Sequence, residues 1–168
     1  MAPPEYSARG TATAVDSPER RRLPPLLRRA WYGLNQAFRR RIATTGATPD
    51  QFTALRCLQE GDPRGLSQRE LTLIMSSDPN TIASLLERMQ AVGWIARKPH
   101  ERDGRAYRIQ LRPAGKRKYE QLRAQAVALQ TQVLAVLPAQ RREEFLEYLS
   151  RVADACRLAA ETQSRKSG

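Results

Sequence analysis

Ser67-Gln-Arg-Glu70-Leu-Thr-Leu-Ile-Met-Ser-Ser77-Asp78-Pro-Asn-Thr-Ile-Ala-Ser-Leu-Leu-Glu-Arg-Met89-Gln-Ala-Val-Gly93-Trp-Ile-Ala-Arg-Lys98-Pro-His100-Glu-Arg-Asp-Gly-Arg105-Ala-Tyr-Arg-Ile-Gln-Leu111-Arg112 is the stretch that decides the fold. Ser67 followed by Glu70 is a capping box, in which each side chain satisfies the other residue's backbone N–H. A short helix follows, with Leu71, Ile74 and Met75 apolar. Ser76 and Ser77 make a turn. Asp78 caps the next helix and Pro79 opens it. Ile82, Leu85, Leu86 and Met89 recur at three- and four-residue steps, and Gly93 closes the helix as a left-handed cap. Trp94–Lys98 and Ala106–Leu111 are two strands around a polar loop containing Gly104. Two short helices followed by a basic hairpin are suited to place one helix in a DNA groove and a charged loop beside it.

The buried stripe of the second helix leaves Asn80, Thr81, Ala83, Ser84, Glu87 and Arg88 on its other side. Asn80 can pair with adenine through two hydrogen bonds, Ser84 can donate or accept, and Ala83 can touch a thymine methyl. Asn80, Thr81, Ala83, Ser84 and Arg88 are the expected major-groove set. The free amides and dipole at the start of this helix are expected to attract phosphate. Ser67, Gln68 and Arg69, with Arg97 and Lys98 in the first strand, are expected phosphate contacts. In the hairpin loop, Arg102 or Arg105 can enter a narrow minor groove, whose negative potential attracts arginine, while Asp103 holds a neighbouring arginine. The competing reading is a solvated polar helix face and a charged surface hairpin.

Outward from this unit the pattern is mostly helical. Pro24 and Pro25 start a helix carrying Leu27, Trp31, Leu34, Phe38 and Ile42 on one stripe, and Gly46 ends the segment. Thr48-Pro-Asp-Gln51 is a second capping box, with Phe52, Leu55 and Leu58 inward in a helix reaching about Glu60. Gly61-Asp-Pro-Arg-Gly65 is a turn. Pro113 opens a long helix with Leu122, Ala126, Leu129, Val133 and Val136 on one stripe, and Pro138 breaks it. A last helix carries Phe145, Leu149, Val152, Cys156 and Ala159. Both long helices alternate four- and three-residue steps, the period of a coiled-coil seam. Either a second chain or the chain's own core can cover those stripes; two-fold homodimers dominate soluble oligomers, so a homodimer is expected.

The chain has 168 residues, a formal net charge of +12 and a sequence pI near 10.8. That balance favours an anionic partner, nucleic acid before a membrane surface. No run of about 18 apolar residues can span a membrane, and the N-terminus lacks an apolar signal core. A cytoplasmic protein without membrane contact is the expectation. The two cysteines, Cys57 and Cys156, lack metal-ligand spacing, and there is one histidine and no phosphate loop. No metal, cofactor or catalytic activity is expected. Residues 1–22 and 161–168 have little to bury and are expected to be tails, the first a disordered basic one.

Thr48-Pro-Asp-Gln-Phe52, Ser67-Gln-Arg-Glu-Leu71, Asp78-Pro-Asn-Thr-Ile82, Leu86-Glu-Arg-Met89, Gly93-Trp-Ile95, Arg102-Asp-Gly-Arg105 and Leu111-Arg-Pro-Ala-Gly115, in this order and spacing, resemble the MarR family of winged helix–turn–helix regulators over roughly residues 26–160. The resemblance implies a mainly α fold with a small β-hairpin wing. Residues 48–112 would form the winged helix–turn–helix DNA-binding domain; 24–46 and 113–160 would form the helical dimerisation domain. It implies a homodimer on a palindromic double-stranded DNA operator, with the wing arginine carried onto Arg105. It further implies a repressor, less often an activator, released by a small phenolic or aromatic effector or by cysteine oxidation. Ser76 stands where the family usually has Gly, Ser77 where it has an apolar residue, Ser84 where it often has Arg, and His100 where it often has Asp. Arg112 replaces a Thr cap, a loss of about 1 kcal/mol.

Trp31 and Tyr32, with Phe52, are candidate groups for lining an effector site where the dimer helices meet the DNA-binding lobe; the competing reading makes Trp31 and Phe38 core. Cys156 sits on an apolar stripe, and Cys57 stands beside Arg56, which can lower a thiol pKa. A nonspecific or architectural DNA binder, and a cysteine redox-sensing regulator, remain the alternatives.

Overall fold

The computed structural model describes residues 21–99 and 107–164. The chain runs α1 (Leu23–Arg41), α2 (Pro49–Glu60), β1 (Leu66–Ser67), α3 (Gln68–Ile74), α4 (Pro79–Ala91), β2 (Ile95–Pro99), β3 (Tyr107–Leu111), α5 (Pro113–Leu134) and α6 (Arg142–Ser164), with single 3-10 turns at Ala43–Thr45 and Ala139–Arg141. It is mainly helical with a small antiparallel sheet, as expected. The sheet has three strands in the order β1-β3-β2, one more than the expected hairpin. The two-residue β1 pairs Leu66 with Ile109 and Ser67 with Arg108. So short a strand has no alternation to read.

Local chemistry explains the helix boundaries. Both capping boxes form: the Gln51 amide donates to the Thr48 hydroxyl, and the Glu70 amide to the Ser67 hydroxyl, each at 3.2 Å, with the reciprocal bonds present. α3 and α4 end alike. The Ser77 N–H reaches back to the Thr72 carbonyl and the Ser76 N–H to that of Leu73; in α4 the Trp94 and Gly93 amides do the same to Met89 and Gln90. This closure puts one residue in the left-handed region. In α4 that residue is Gly93 at φ 75°; in α3 it is Ser76 at φ 48°, where a Cβ costs energy. α5 begins at Arg112 without a side-chain cap or an acid in its first turn. α6 continues to Ser164, so residues 161–164 are helical rather than tail.

One apolar core joins α1 through α5 and the sheet. Its centre is aromatic. The Phe52 ring lies 5.1 Å from Phe38 and 5.9 Å from Tyr119, the latter nearly parallel. Phe52 thus ties α1, α2 and α5 together, and each such pair adds roughly 0.5–1.5 kcal/mol beyond its buried area. Leu55, Leu71, Ile82, Leu86, Met89, Ile95, Ile109 and Leu122 are fully buried around it. Gly115 seats the start of α5: a Cβ there would fall 2.1 Å from the Trp94 carbonyl oxygen, which accepts the Arg112 N–H at 2.9 Å.

α1 and α6 extend past this core. Only Phe38 of α1 is buried, while Leu23, Leu26, Trp31, Tyr32 and Leu34 are exposed. Trp31, at 64% exposure, is therefore not a core residue, because the α1 stripe meets the core only in its last turns. α6 packs chiefly against the turn before it, and none of its described side chains is fully buried. Phe145, Tyr148, Leu149 and Leu158 stand open, as do Val127 and Val133 of α5 and Val136 just beyond its end. No helix among the described residues is long and apolar enough to cross a membrane.

Candidate nucleic-acid interface

α4 presents its polar face outward because its apolar one is fixed. Ile82, Leu85, Leu86 and Met89 are buried; Asn80, Thr81, Ser84, Glu87 and Arg88 are exposed, and Ala83 is half-buried. The face expected to read bases is available to a partner.

The start of α4 differs from expectation. Asp78 accepts the Asn80 N–H at 3.0 Å and the Thr81 N–H at 2.9 Å on one carboxylate oxygen, and the Thr81 hydroxyl donates to the other. These bonds, the hydroxyl's first, hold the Asp78 carboxyl below its ordinary range. Pro79 has no N–H, and the Ile82 N–H is taken by the Asp78 carbonyl. The amides expected to attract phosphate are thus occupied by the chain's own carboxylate. Thr81 has spent its proton and retains only acceptor capacity.

α3 is joined to α4 at the same end. The Gln68 side-chain amide donates to the Pro79 carbonyl at 3.2 Å. Gln68, expected on phosphate, therefore also holds the first turn of α3 to the first turn of α4. Nothing in the sequence signals this, since the acceptor is backbone eleven positions on. Ser67, also expected on phosphate, is committed to its capping box and half-buried. Its partner Glu70 has its carboxyl pKa lowered, chiefly by the Ser67 N–H. Arg69 is exposed.

The sheet carries the wing strands to that end. Ser67 pairs with Arg108, one residue from Tyr107, where the described part of β3 begins. In β2, Arg97 lies opposite Ile109 and is half-buried, while Lys98 is exposed and lies directly opposite Arg108. Like charges facing each other across a ladder destabilise it, and a nearby anion offsets that. The Arg108 guanidinium turns instead to the Gly65 carbonyl at 2.9 Å, and Gln110 holds the Arg64 carbonyl at 2.7 Å. These two bonds pin the loop before β1 to β3, a role that charge patterning did not reveal. The loop residues His100, Arg102, Asp103 and Arg105 lie outside the described residues.

The candidate effector site is only partly as expected. Trp31 and Tyr32 line a groove of about 180 Å³ with Asn35, Gln36, Arg39, Pro49 and Asp50. Phe52 does not belong to it: the ring is 5% exposed and stacked inside the core. Cys57 is half-buried, and burial, then Glu60, raises its thiol pKa; both outweigh Arg56, which acts the other way. That is the opposite of what a reactive thiolate needs. Cys156 is exposed on α6. Among the described residues no group of three or more His, Cys, Asp or Glu side chains could hold a metal.

A sequence profile of the MarR family matches residues 45–106. No curated protein matches the chain. Among solved structures, a probable transcriptional regulator from Pseudomonas aeruginosa is 33% identical, with 76% of this chain and 93% of that one covered at a TM-score of 0.67. The S. aureus MepR–DNA complex is 18% identical over 78% and 96% of the two chains, with a TM-score of 0.71, a likeness of fold alone. A Mycobacterium tuberculosis MarR family protein in complex with salicylic acid is 27% identical over 80% and 98%, with a TM-score of 0.65. A profile match across the helix–turn–helix, and a relative a third identical along nearly its whole length, join the winged-helix geometry in one conclusion: the chain belongs to the MarR family of transcriptional regulators.

Proposed function

We propose that this regulator binds a palindromic DNA operator as a homodimer and represses transcription until a small aromatic ligand releases it. The observation that carries the DNA reading is the shared end of α3, α4 and the sheet. The Gln68–Pro79 hydrogen bond and the Ser67–Arg108 pairing bring the exposed α4 face and the roots of the wing to one side of the chain. Asn80, Ala83 and Ser84 then serve as base-reading groups, with Thr81 as an acceptor and Arg88 toward the far end of α4. Arg69, Arg97 and Lys98, with the wing residues Arg102, Asp103 and Arg105, meet the backbone and minor groove. The net charge of +12 supplies the nonspecific part of the attraction.

The homodimer is supported by the apolar side chains left open on α1, α5 and α6. Residues 24–46 and 113–160 form its interface lobe, and residues 48–112 the DNA-binding lobe. Effector release is supported by the groove between α1 and the start of α2, where two exposed aromatic rings stand beside Arg39. The relative solved with salicylic acid makes a small aromatic acid the reasonable first probe.

The deciding experiment is protection of a randomised duplex pool, followed by footprinting of the selected sequence. The reading requires a discrete two-fold footprint with half-sites about one helical turn apart, and weakening of that complex by salicylate. Equal affinity for unrelated duplexes, with a steep salt dependence, would instead favour an architectural binder.

A further inference from the structure

We propose that Asp78 is a specificity-determining residue that keeps DNA phosphate away from the start of the recognition helix. The inference rests on the reading of α4 as the base-reading helix. Every amide in the first turn of α4 is accounted for within the chain. Pro79 has none, the amides of Asn80 and Thr81 donate to the Asp78 carboxylate, and that of Ile82 donates to the Asp78 carbonyl. A helix start is ordinarily a strong phosphate hold, because free amides and the helix dipole act together. Here the position is filled by an exposed negative charge, with its second oxygen bonded to the Thr81 hydroxyl.

The surroundings make that charge consequential. Among the described residues, no salt bridge to Asp78 is formed; the hydrogen bonds to its carboxylate come from its own helix. It lies in a chain carrying 29 Lys and Arg against 17 Asp and Glu. Nonspecific complexes are held almost wholly by phosphate contacts. A carboxylate at the leading end of α4 penalises any complex that rests on the backbone there. A matched duplex seats α4 by hydrogen bonds from Asn80 and Ser84 to base edges rather than by the backbone at that end, and so incurs less of the penalty. Discrimination thus comes partly from an unfavourable contact in the wrong complex.

Asp78→Ser and Asp78→Asn remove the charge and keep a good cap. Full-length wild type and both variants are titrated against two duplexes roughly three helical turns long. One is the sequence selected by the wild type from a randomised pool; the other is its scrambled counterpart. Both variants should bind the scrambled duplex about 3- to 10-fold more tightly. The selected duplex should gain less, so the specificity ratio falls while the thermal midpoint holds. Equal tightening on both duplexes would show a general charge effect and overturn the inference. Weaker binding to both with a lowered midpoint would show a structural cap only, and also overturn it. A wild-type ratio near one would sink the sequence-specific reading and the inference together; a large wild-type ratio that the variants preserve would sink the inference alone.

Discussion

The Lys118 ammonium of α5 lies 5.5 Å from the centre of the Trp94 ring, just past the end of α4. The same nitrogen donates to the Thr45 carbonyl before α2, at 2.9 Å. One side chain therefore ties α5 to the segment leaving the proposed recognition helix and to the loop that follows α1. Lys118→Met keeps the aliphatic stem and removes these two contacts, together with the bond from the ammonium to the Gln121 side-chain oxygen. It should lower stability by roughly 1–2 kcal/mol. Urea denaturation would measure this as a shifted midpoint at unchanged slope; an unshifted midpoint would remove Lys118 from the fold's support.

Ser76 and Gly93 occupy the same left-handed position at the ends of α3 and α4. Their substitutions should act in opposite directions. Ser76→Gly relieves a strained Cβ but adds freedom to the unfolded chain, a net gain of up to about 1 kcal/mol. Gly93→Ala introduces that strain and should cost about 1–2 kcal/mol. Equilibrium denaturation of both variants tests the pairing, and shifts of the same sign would contradict it.

Acid should weaken the fold through carboxylates that accept local hydrogen bonds. Hydrogen bonding from the Arg64 side chain lowers the Asp62 carboxyl to about 2. Glu70 and Asp78 lie below their ordinary values through bonds from Ser67 and from Thr81. Each binds a proton less readily folded than unfolded. Its contribution is therefore complete above the ordinary carboxylate pKa of about 4 and is lost as pH falls through the lower folded value. The thermal midpoint should decline from about pH 4.5 toward pH 2, and Glu70→Gln, which keeps the capping-box acceptor, should flatten that decline. A midpoint that is level over this range in the wild type would refute the assignment.

On the DNA side, Asn80→Ala should relax preference at one base step by roughly 1–3 kcal/mol. Gln68→Ala should cut affinity for the selected duplex by about 3- to 10-fold and blur preference under α4, because its loss frees α4 from α3. Arg105→Ala should weaken AT-rich flanks most. Binding-site selection with each variant reads all three effects. An Asn80→Ala base profile identical to wild type would remove that residue from the reading set.

Assembly should depend on the open apolar face of α6. Leu149→Glu places a charge among Phe145, Tyr148 and Val152 and should convert the proposed homodimer to monomer in light scattering, with folded secondary structure retained. A wild-type chain that is itself monomeric would refute the dimer.

Much of this architecture is legible in the sequence. Thr48 with Gln51, Ser67 with Glu70, Asp78 before Pro79 and Gly93 after Met89 are local signals, and local signals fix where helices begin and end. The α4 stripe was equally plain, because periodicity alone separates its two faces. What escaped depends on partners distant in sequence. β1 exists only because β3 lies beside it. The Arg108 guanidinium holds the Gly65 carbonyl, forty-three positions earlier in the chain. Sequence proximity to α1 suggests Phe52 for a ligand groove, whereas Tyr119, sixty-seven positions away, draws it inward. The α1 stripe reads as continuous through Trp31, because period alone does not distinguish a helix longer than the core it touches.

The tight seat of Gly115 on the Trp94 carbonyl has a mechanical corollary. α5 spans 22 residues, about 33 Å of nearly inextensible rod. A backbone-to-backbone contact with no room for even a methyl group gives that rod no slack where it meets the exit of α4. A tilt of about 5° at the far end of α5 then displaces the near end by about 3 Å, close to one base-pair step of duplex DNA.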